Sequence, residues 1–266
     1  MNFILEKDNS RSVITALDQI HDVQHGQPVP AFPKQAVVFC YGYGLDFLKS
    51  NHHAKIWLKK LPRFLSGGEV YMIEGYEDVC FLHGGAGSPM IADTIEVLVA
   101  LGVEQFYLLG LCGVFDGMIK VGDIVIPTRV LSEEGTSRHY VSDIDFVEAD
   151  MSKQRQAYHY FKALHVTYLM PTVTTDAIYR QTFKKEAYWR TQGCVGVDME
   201  ASAFLTVCHY YNKKGTVILM ASDVHPLTDS QSWTFGKKDF MTCRENFTAQ
   251  TLQFILRQQE NDEEHY

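Results

Sequence analysis

The stretch Gln105-Phe106-Tyr107-Leu108-Leu109-Gly110-Leu111-Cys112-Gly113 decides the fold. Its first five residues form a short apolar and aromatic run of the kind that makes a buried strand. The two glycines that follow let the backbone turn sharply and approach a ligand closely. From the residues alone, 110–113 is either a plain tight turn from strand into helix or a loop that cradles a ligand. Working outward, further strand-type runs fall at 36–40, 70–73, 79–82, 123–127, 166–169 and 216–220, and segments of helical period at 91–101, 153–164, 199–211 and 238–256. Ser88 is placed to cap the first helix, with Pro89 in its first turn, where a missing N–H costs nothing. Strands alternating with helices predict a single-domain, three-layer α/β/α architecture around a mostly parallel central sheet. In such sheets ligands collect beyond the carboxyl ends of the strands.

The ends of the chain read differently. Residues 1–34 form a leader, weakly helical over 5–20 and then broken by Gly26, Pro28, Pro30 and Pro33. Residues 35–258 form the domain, and the polar, acidic residues 259–266 are expected to fray. An apolar run of only three residues, Phe3-Ile4-Leu5, precedes the Glu6-Lys7 pair, and no apolar run reaches membrane-spanning length, so the expectation is a cytoplasmic protein without membrane attachment. A formal net charge of −8 argues against nucleic-acid binding, which needs a clustered positive surface. The partner is then a small molecule. The six cysteines (Cys40, Cys80, Cys112, Cys194, Cys208, Cys243) contain no C-x-x-C pair and read as buried thiols. His52 and His53, and His159 and His165, lack the i, i+4 spacing of helical zinc ligands, so no metal is expected.

Two further segments carry chemistry. In Gly196-Val197-Asp198-Met199-Glu200-Ala201 an apolar run meets two carboxylates before a helix of small and apolar residues. Asp198 reads as an ordinary helix cap. Glu200 falls in an apolar setting, where its oxygens need donors from the protein or from a polyhydroxyl ligand. In Val217-Ile218-Leu219-Met220-Ala221-Ser222-Asp223-Val224-His225 a buried strand ends in Ser-Asp. A carboxyl group there suits general-acid work if burial raises its pKa toward neutrality; otherwise it is a turn or cap residue.

Together these segments resemble the nucleoside phosphorylase superfamily, which includes hexameric purine nucleoside phosphorylases, uridine phosphorylases and nucleosidases. The resemblance runs in order from Val37 to Phe254 through Gly84-Gly85-Ala86-Gly87-Ser88-Pro89, Gly110-Leu111-Cys112-Gly113, Val121-Gly122-Asp123-Ile124-Val125, Glu134-Gly135-Thr136-Ser137, Thr174-Thr175-Asp176, Val197-Asp198-Met199-Glu200-Ala201 and Ser222-Asp223. It implies the phosphorylase-like form of the fold, with a mixed central sheet, and cleavage of the N-glycosidic bond of a nucleoside. Glu200 would bind the ribose hydroxyls with Met199 against the sugar. Asp223 would be the catalytic acid at N7 of a departing purine. Ile178 and Tyr179 would pack on the base, or else serve as ordinary core. Uridine phosphorylases lack the matching Asp, which favours a purine. Gly42, Gly110, Leu111, Cys112 and Gly113 would lie where phosphate or another nucleophile sits.

The chain departs from the phosphorylase pattern at that last place. The Arg after the first strand is replaced by Tyr41-Gly42-Tyr43-Gly44-Leu45-Asp46, the Arg before the glycine turn by Leu108, and the hydroxyl within it by Leu111. Either Arg129, Arg138 or a neighbouring subunit supplies the charge, or water is the nucleophile, as the likeness of 87–89 and 134–137 to short bacterial AMP nucleosidases favours. Asp46, Glu134 and His139 are then candidate bases. The expectation is phosphorolysis of a purine nucleoside by a homo-oligomer, with no cofactor beyond phosphate as co-substrate. Hydrolysis is the alternative, and a non-catalytic nucleoside sensor a third reading.

Overall fold

A computed structural model describes residues 10–25, 30–236 and 239–263. In chain order its elements are α1 (Ala16–Val23), β1 (Gln35–Phe39), α2 (Gly44–His52), β2 (Lys55–Leu58), β3 (Val70–Met72), β4 (Val79–His83), α3 (Ser88–Ala100), β5 (Gln105–Val114) and β6 (Ile124–Ser132). There follow β7 (Phe146–Glu148), α4 (Met151–Lys162), β8 (Thr167–Thr174), α5 (Phe183–Thr191), β9 (Gly196–Asp198), α6 (Ala201–Tyr210), β10 (Lys214–Val224), β11 (Thr234–Phe235) and α7 (Phe240–Glu263).

One mixed sheet runs through the molecule. Its long ladders are parallel: β1 lies between β4 and β5, β5 pairs with β10 from Gln105–Lys214 to Val114–Val224, and β6 pairs with β8. Shorter antiparallel pairings join β10 to β6 and β5 to β9, and β8 pairs parallel with β9. Strands β5, β10, β6, β8 and β9 therefore close on one another into a circuit, from which β1, β4, β3 and β2 extend as an open wing.

Period-two alternation sorts the side chains into two cores. Ala36 and Val38 of β1 and Phe106 and Leu108 of β5 join Ile91, Ile95 and Leu98 of α3 and Phe204 of α6 on one face. Val37, Phe39, Tyr107 and Leu109 point the other way, against Phe161 of α4 and Phe247 and Ile255 of α7. Both faces of the sheet are covered, as the three-layer reading requires. No helix among the described residues is long and apolar enough to cross a membrane.

Several sequence expectations shift. Residues 110–113 do not form a turn: β5 continues to Val114 because β10 pairs with it along its whole length and holds the backbone extended. Gly87, at φ +85°, takes the cap position before α3, and Ser88 is the first helical residue. The helix expected at 199–211 starts at Ala201, since Glu200 at φ −132° is still outside it. Part of the leader belongs to the fold, because α1 lies on α3 with Ile20 buried and Phe32 joins the same core. Its residues 1–9 and 26–29 lie outside the described residues. Helix α7 runs on to Glu263 through most of the stretch expected to fray; 264–266 are not described. All six cysteines are free thiols.

Candidate active site

The loop after β4 meets the bend after β9. The Gly87 N–H donates to Glu200 Oε1 at 2.6 Å, and Ser88 Oγ donates to the Met199 carbonyl at 2.9 Å. Asp198 is not the N-cap its sequence suggested, because Glu200 takes that position without a side-chain cap bond; from two residues further back, Asp198 Oδ2 accepts from the backbone N–H groups of Glu200 (3.0 Å) and Ala201 (2.6 Å), and Oδ1 accepts from Thr174 Oγ1 at 2.6 Å. Nearby, Glu134 accepts from Ser132 Oγ, Ser202 Oγ and the Ser137 N–H. All three carboxylates are buried, and among the described residues none of them forms an ion pair. Burial therefore pushes Asp198 above the ordinary carboxylate range despite its donors. Burial, and then the charge of Asp198, pushes Glu200 up as well. A carboxylate in that condition gains from any ligand that brings hydroxyl donors.

The second cluster lies across β5. Gly113 pairs with Asp223 of β10 on one side and with Val197 of β9 on the other. The backbones of the two acidic strand ends are thus two ladder spacings apart, roughly 10 Å. The buried Cys112 thiol feels both carboxylates: burial and the charges of Asp198 and Asp223 raise its pKa well above normal. Asp223 Oδ1 accepts from Ser222 Oγ at 2.6 Å, and Oδ2 accepts from Trp233 Nε1 at 2.7 Å with His225 Nε2 at 3.2 Å. His225 Nδ1 lies 2.7 Å from Oε1 of the buried Glu186 on α5.

These contacts reverse one expectation. Burial does push the Asp223 carboxyl up, but the hydrogen bonds from His225, Ser222 and Trp233 and the charge of His225 outweigh it and hold the group below its usual range. His225 moves oppositely: burial alone would lower it, and Asp223 and Glu186 raise it to about 9. Gly113 provides the space for this imidazole, since a Cβ there would lie 2.3 Å from His225 Nε2. Gly113→Ala is expected to destabilise the fold by about 1–3 kcal/mol through overpacking. Thermal denaturation checks this; an unchanged Tm would mean that the ring moves aside freely.

The other sequence-named residues are dispersed. Gly42 faces open space, with nothing within 4 Å of a Cβ placed there. Gly110 is buried inside β5 and Leu111 is half-buried. Ile178 and Tyr179, on a short 3-10 turn, are 51% and 97% exposed, so neither is core. The Arg129 guanidinium sits 4.1 Å over the Phe146 ring, and Arg138 is exposed. Among the proposed bases, Asp46 is a surface residue paired with Lys49, His139 is exposed, and the Glu134 oxygens already hold three donors.

Four participants, His225, Glu186, Trp233 and Arg63, were not read from the sequence. His225 had a signal, because residues two apart on a strand share a face and Asp223 was already singled out. Trp233 and Arg63 had none, since both lie in loops without a motif, Trp233 among polar residues and Arg63 between Pro62 and Phe64. Arg63 is buried beneath the loop after β4, where Nη1 donates to the His83 carbonyl (3.0 Å) and Thr94 Oγ1 (2.7 Å) and Nε donates to the Ser66 carbonyl.

Comparison with known proteins identifies the family and the fold. A family model described as "Phosphorylase superfamily" matches residues 51–258. A guanosine phosphorylase of Halorubrum lacusprofundi is 30% identical over 142 residues, 52% of this chain and 56% of that protein, so the match spans little more than half of that relative's length. Among solved structures, a purine nucleoside phosphorylase from Toxoplasma gondii in complex with immucillin-H superposes with a TM-score of 0.72 at 19% identity, covering 86% of this chain and 93% of that one. An AMP nucleosidase from Bacteroides thetaiotaomicron superposes with a TM-score of 0.68 at 16% identity, covering 92% and 99%. These two structures show a shared fold.

Proposed function

The chain belongs to the phosphorylase superfamily, and from that premise we propose that it cleaves the N-glycosidic bond of a purine nucleoside by phosphorolysis, releasing free base and ribose 1-phosphate. One observation carries the reading: Glu200, following Asp198, and Asp223 lie on the two sides of the Cys112-Gly113 segment, at a separation suited to a sugar at one end and a base at the other. In this reading Glu200 accepts from the ribose hydroxyls, Met199 lies against the sugar, and Asp223 meets N7 of the departing purine. Ile178 and Tyr179 reach the base only if the turn that carries them folds inward. The sugar passes through an oxocarbenium-like state, and the buried carboxylates, once ionised, supply a negative field that favours it. Phosphate is the co-substrate, at the open side marked by Gly42, and no further cofactor takes part. A cytoplasmic homo-oligomer is part of the proposal. It draws support from Ile14 and Phe64, both exposed, which line a surface groove of about 620 Å³ between α1 and α3.

Hydrolysis is the second reading, and a specific observation favours it. Leu108 is fully buried in the core, Arg129 is stacked on Phe146, and Arg63 is buried with Nε on the Ser66 carbonyl and Nη1 on the His83 carbonyl and the Thr94 hydroxyl. The deciding experiment incubates the protein with adenosine, inosine, guanosine, uridine, methylthioadenosine and AMP, with and without phosphate, and separates base, ribose and ribose 1-phosphate. Phosphate-dependent release of a purine base with ribose 1-phosphate is the expected result. Release that ignores phosphate would replace phosphorolysis with hydrolysis, and no release from any substrate would leave a nucleoside sensor.

A further inference from the structure

The Asp223 carboxylate is the end of a chain of buried groups. Ser222 lies at an irregularity in the β10 ladder between Ala221 and Asp223, after which Asp223 and Val224 pair with Gly113 and Val114. The His225 N–H donates to the Val114 carbonyl at 2.8 Å, which anchors the backbone of the next residue. The imidazole fills the space left open at Gly113, with Phe115 at a ring-centroid distance of 6.4 Å. One ring nitrogen faces Asp223 Oδ2 at 3.2 Å and the other faces Glu186 Oε1 at 2.7 Å. Glu186 is itself steered from α5: Arg190 Nη1 lies 4.0 Å from its second oxygen and also donates to the Phe115 carbonyl at 3.2 Å. The charged groups facing this imidazole are therefore Asp223 from β10 and Glu186, with Arg190 behind it, from α5; β5 and the residue after it present only glycine, the Phe115 ring and carbonyls. A buried imidazole between two carboxylates is held in its doubly protonated form.

We propose that His225, braced by Glu186, is the proton reservoir for glycosidic cleavage, positioning Asp223 through Nε2–H and supplying, through that carboxylate, the proton that the departing base takes up. The inference rests on the proposed function, which places Asp223 at the leaving base. The balance is simple. The electron pair of the bond between the sugar carbon and the base nitrogen leaves with the base while a phosphate oxygen forms the new bond to that carbon, and Asp223 takes a proton from His225 Nε2 and passes it on to the base. The carboxylate is left ionised, as it began, and the imidazolium becomes a neutral imidazole that is recharged from solvent. Asp223 is thus ionised before and after the step, in accord with the low proton affinity its surroundings impose. His225 is protonated at neutral pH, with its pKa raised to about 9. Trp233 Nε1, at 2.7 Å from Asp223 Oδ2, holds the same oxygen from the other side and has to yield or tilt if a base is to approach that oxygen.

The test is the pH dependence of kcat for base release, measured on the full chain for the parent, His225→Gln and Glu186→Gln. The parent should lose turnover as pH rises through about 9, where the reservoir empties. His225→Gln should lower kcat by about tenfold or more with KM nearly constant and should abolish that alkaline limb. Glu186→Gln touches neither Asp223 nor substrate, yet should move the limb down by about 1–3 pH units by removing one of the two carboxylates that hold the imidazolium. A nitrogen-15 NMR titration of the ring in parent and Glu186→Gln reads the same shift without turnover. A parent that releases base, beside a folded His225→Gln with kcat within twofold and an unshifted limb, overturns this inference alone. If His225→Gln does not fold, an unshifted limb in Glu186→Gln has the same force. A parent that releases no base overturns the proposed function and this inference together.

Discussion

Asp223→Asn is expected to lower kcat for base release by about 10²–10⁴-fold, the usual worth of a general acid, with a much smaller change in KM. The size follows from what the amide cannot do. Asparagine keeps the shape of the side chain and can still accept from Trp233 or Ser222, so the local hydrogen bonds of the folded state survive in part. It cannot pass a proton from His225 to a leaving base, and it removes one of the two charges that sustain the imidazolium. The variant should therefore remain folded, keep its sugar affinity and stall with substrate bound. Steady-state kinetics on the best substrate, together with equilibrium binding of the same nucleoside, checks both halves. Turnover within threefold of the parent would remove Asp223 from the chemistry and return Ser222-Asp223 to a structural turn.

Glu200→Ala should act on the other end of the substrate. A charged acceptor is worth about 1.5–3 kcal/mol per hydrogen bond, so losing the contacts to ribose hydroxyls should raise KM on the order of 10²-fold or more. The pH dependence carries the sign. Burial and Asp198 raise the Glu200 pKa, so the folded protein binds a proton that the unfolded chain has already released. In the ligand-free protein this group therefore costs stability as pH rises from the ordinary carboxylate range through its elevated value. Sugar hydroxyls offset the cost only when the group is ionised, so KM in the parent should fall with rising pH over that window. Glu200→Gln should lose this dependence and be more stable than the parent at alkaline pH without ligand. Calorimetric melting at pH 6 and pH 9 tests the latter; a Glu200→Gln protein less stable than the parent at both would mean that the Gly87 N–H bond outweighs the cost of burying the charge.

Much of this was legible in the sequence, for reasons that differ by element. Buried parallel strands announce themselves because both faces are covered, so 36–40, 79–82 and 105–109 read as continuous apolar runs. Helix α3 reads through Ile91, Ile95 and Leu98 at helical spacing. The edge elements were missed because they bury little: β2 is exposed or half-buried throughout, and α5 is largely polar, burying only Glu186 and Trp189. The extension of β5 through Gly110 and Gly113 was hidden because glycine has little strand propensity, and only pairing with β10, some hundred residues later, holds it extended. At the site, Glu200 and Asp223 stood out as carboxylates in apolar surroundings. The lowered proton affinity of Asp223 could not be seen, since it depends on Trp233 and His225 folding back onto it.

The closed circuit of five strands has a consequence for how the molecule is made. Its seam is β10, which slots between β5 and β6 and ends at Val224. A nascent chain halted before residue 214 has no partner for either neighbouring edge, and two buried, apolar strand borders stand bare. Such edges invite pairing with other chains while synthesis proceeds at roughly 5–20 residues per second. Asp223 joins the other buried carboxylates only with the arrival of that wedge, because it is carried on it. Closure of the circuit and completion of the candidate site are thus one event, and a molecule cut short anywhere upstream would be sticky and would lack Asp223.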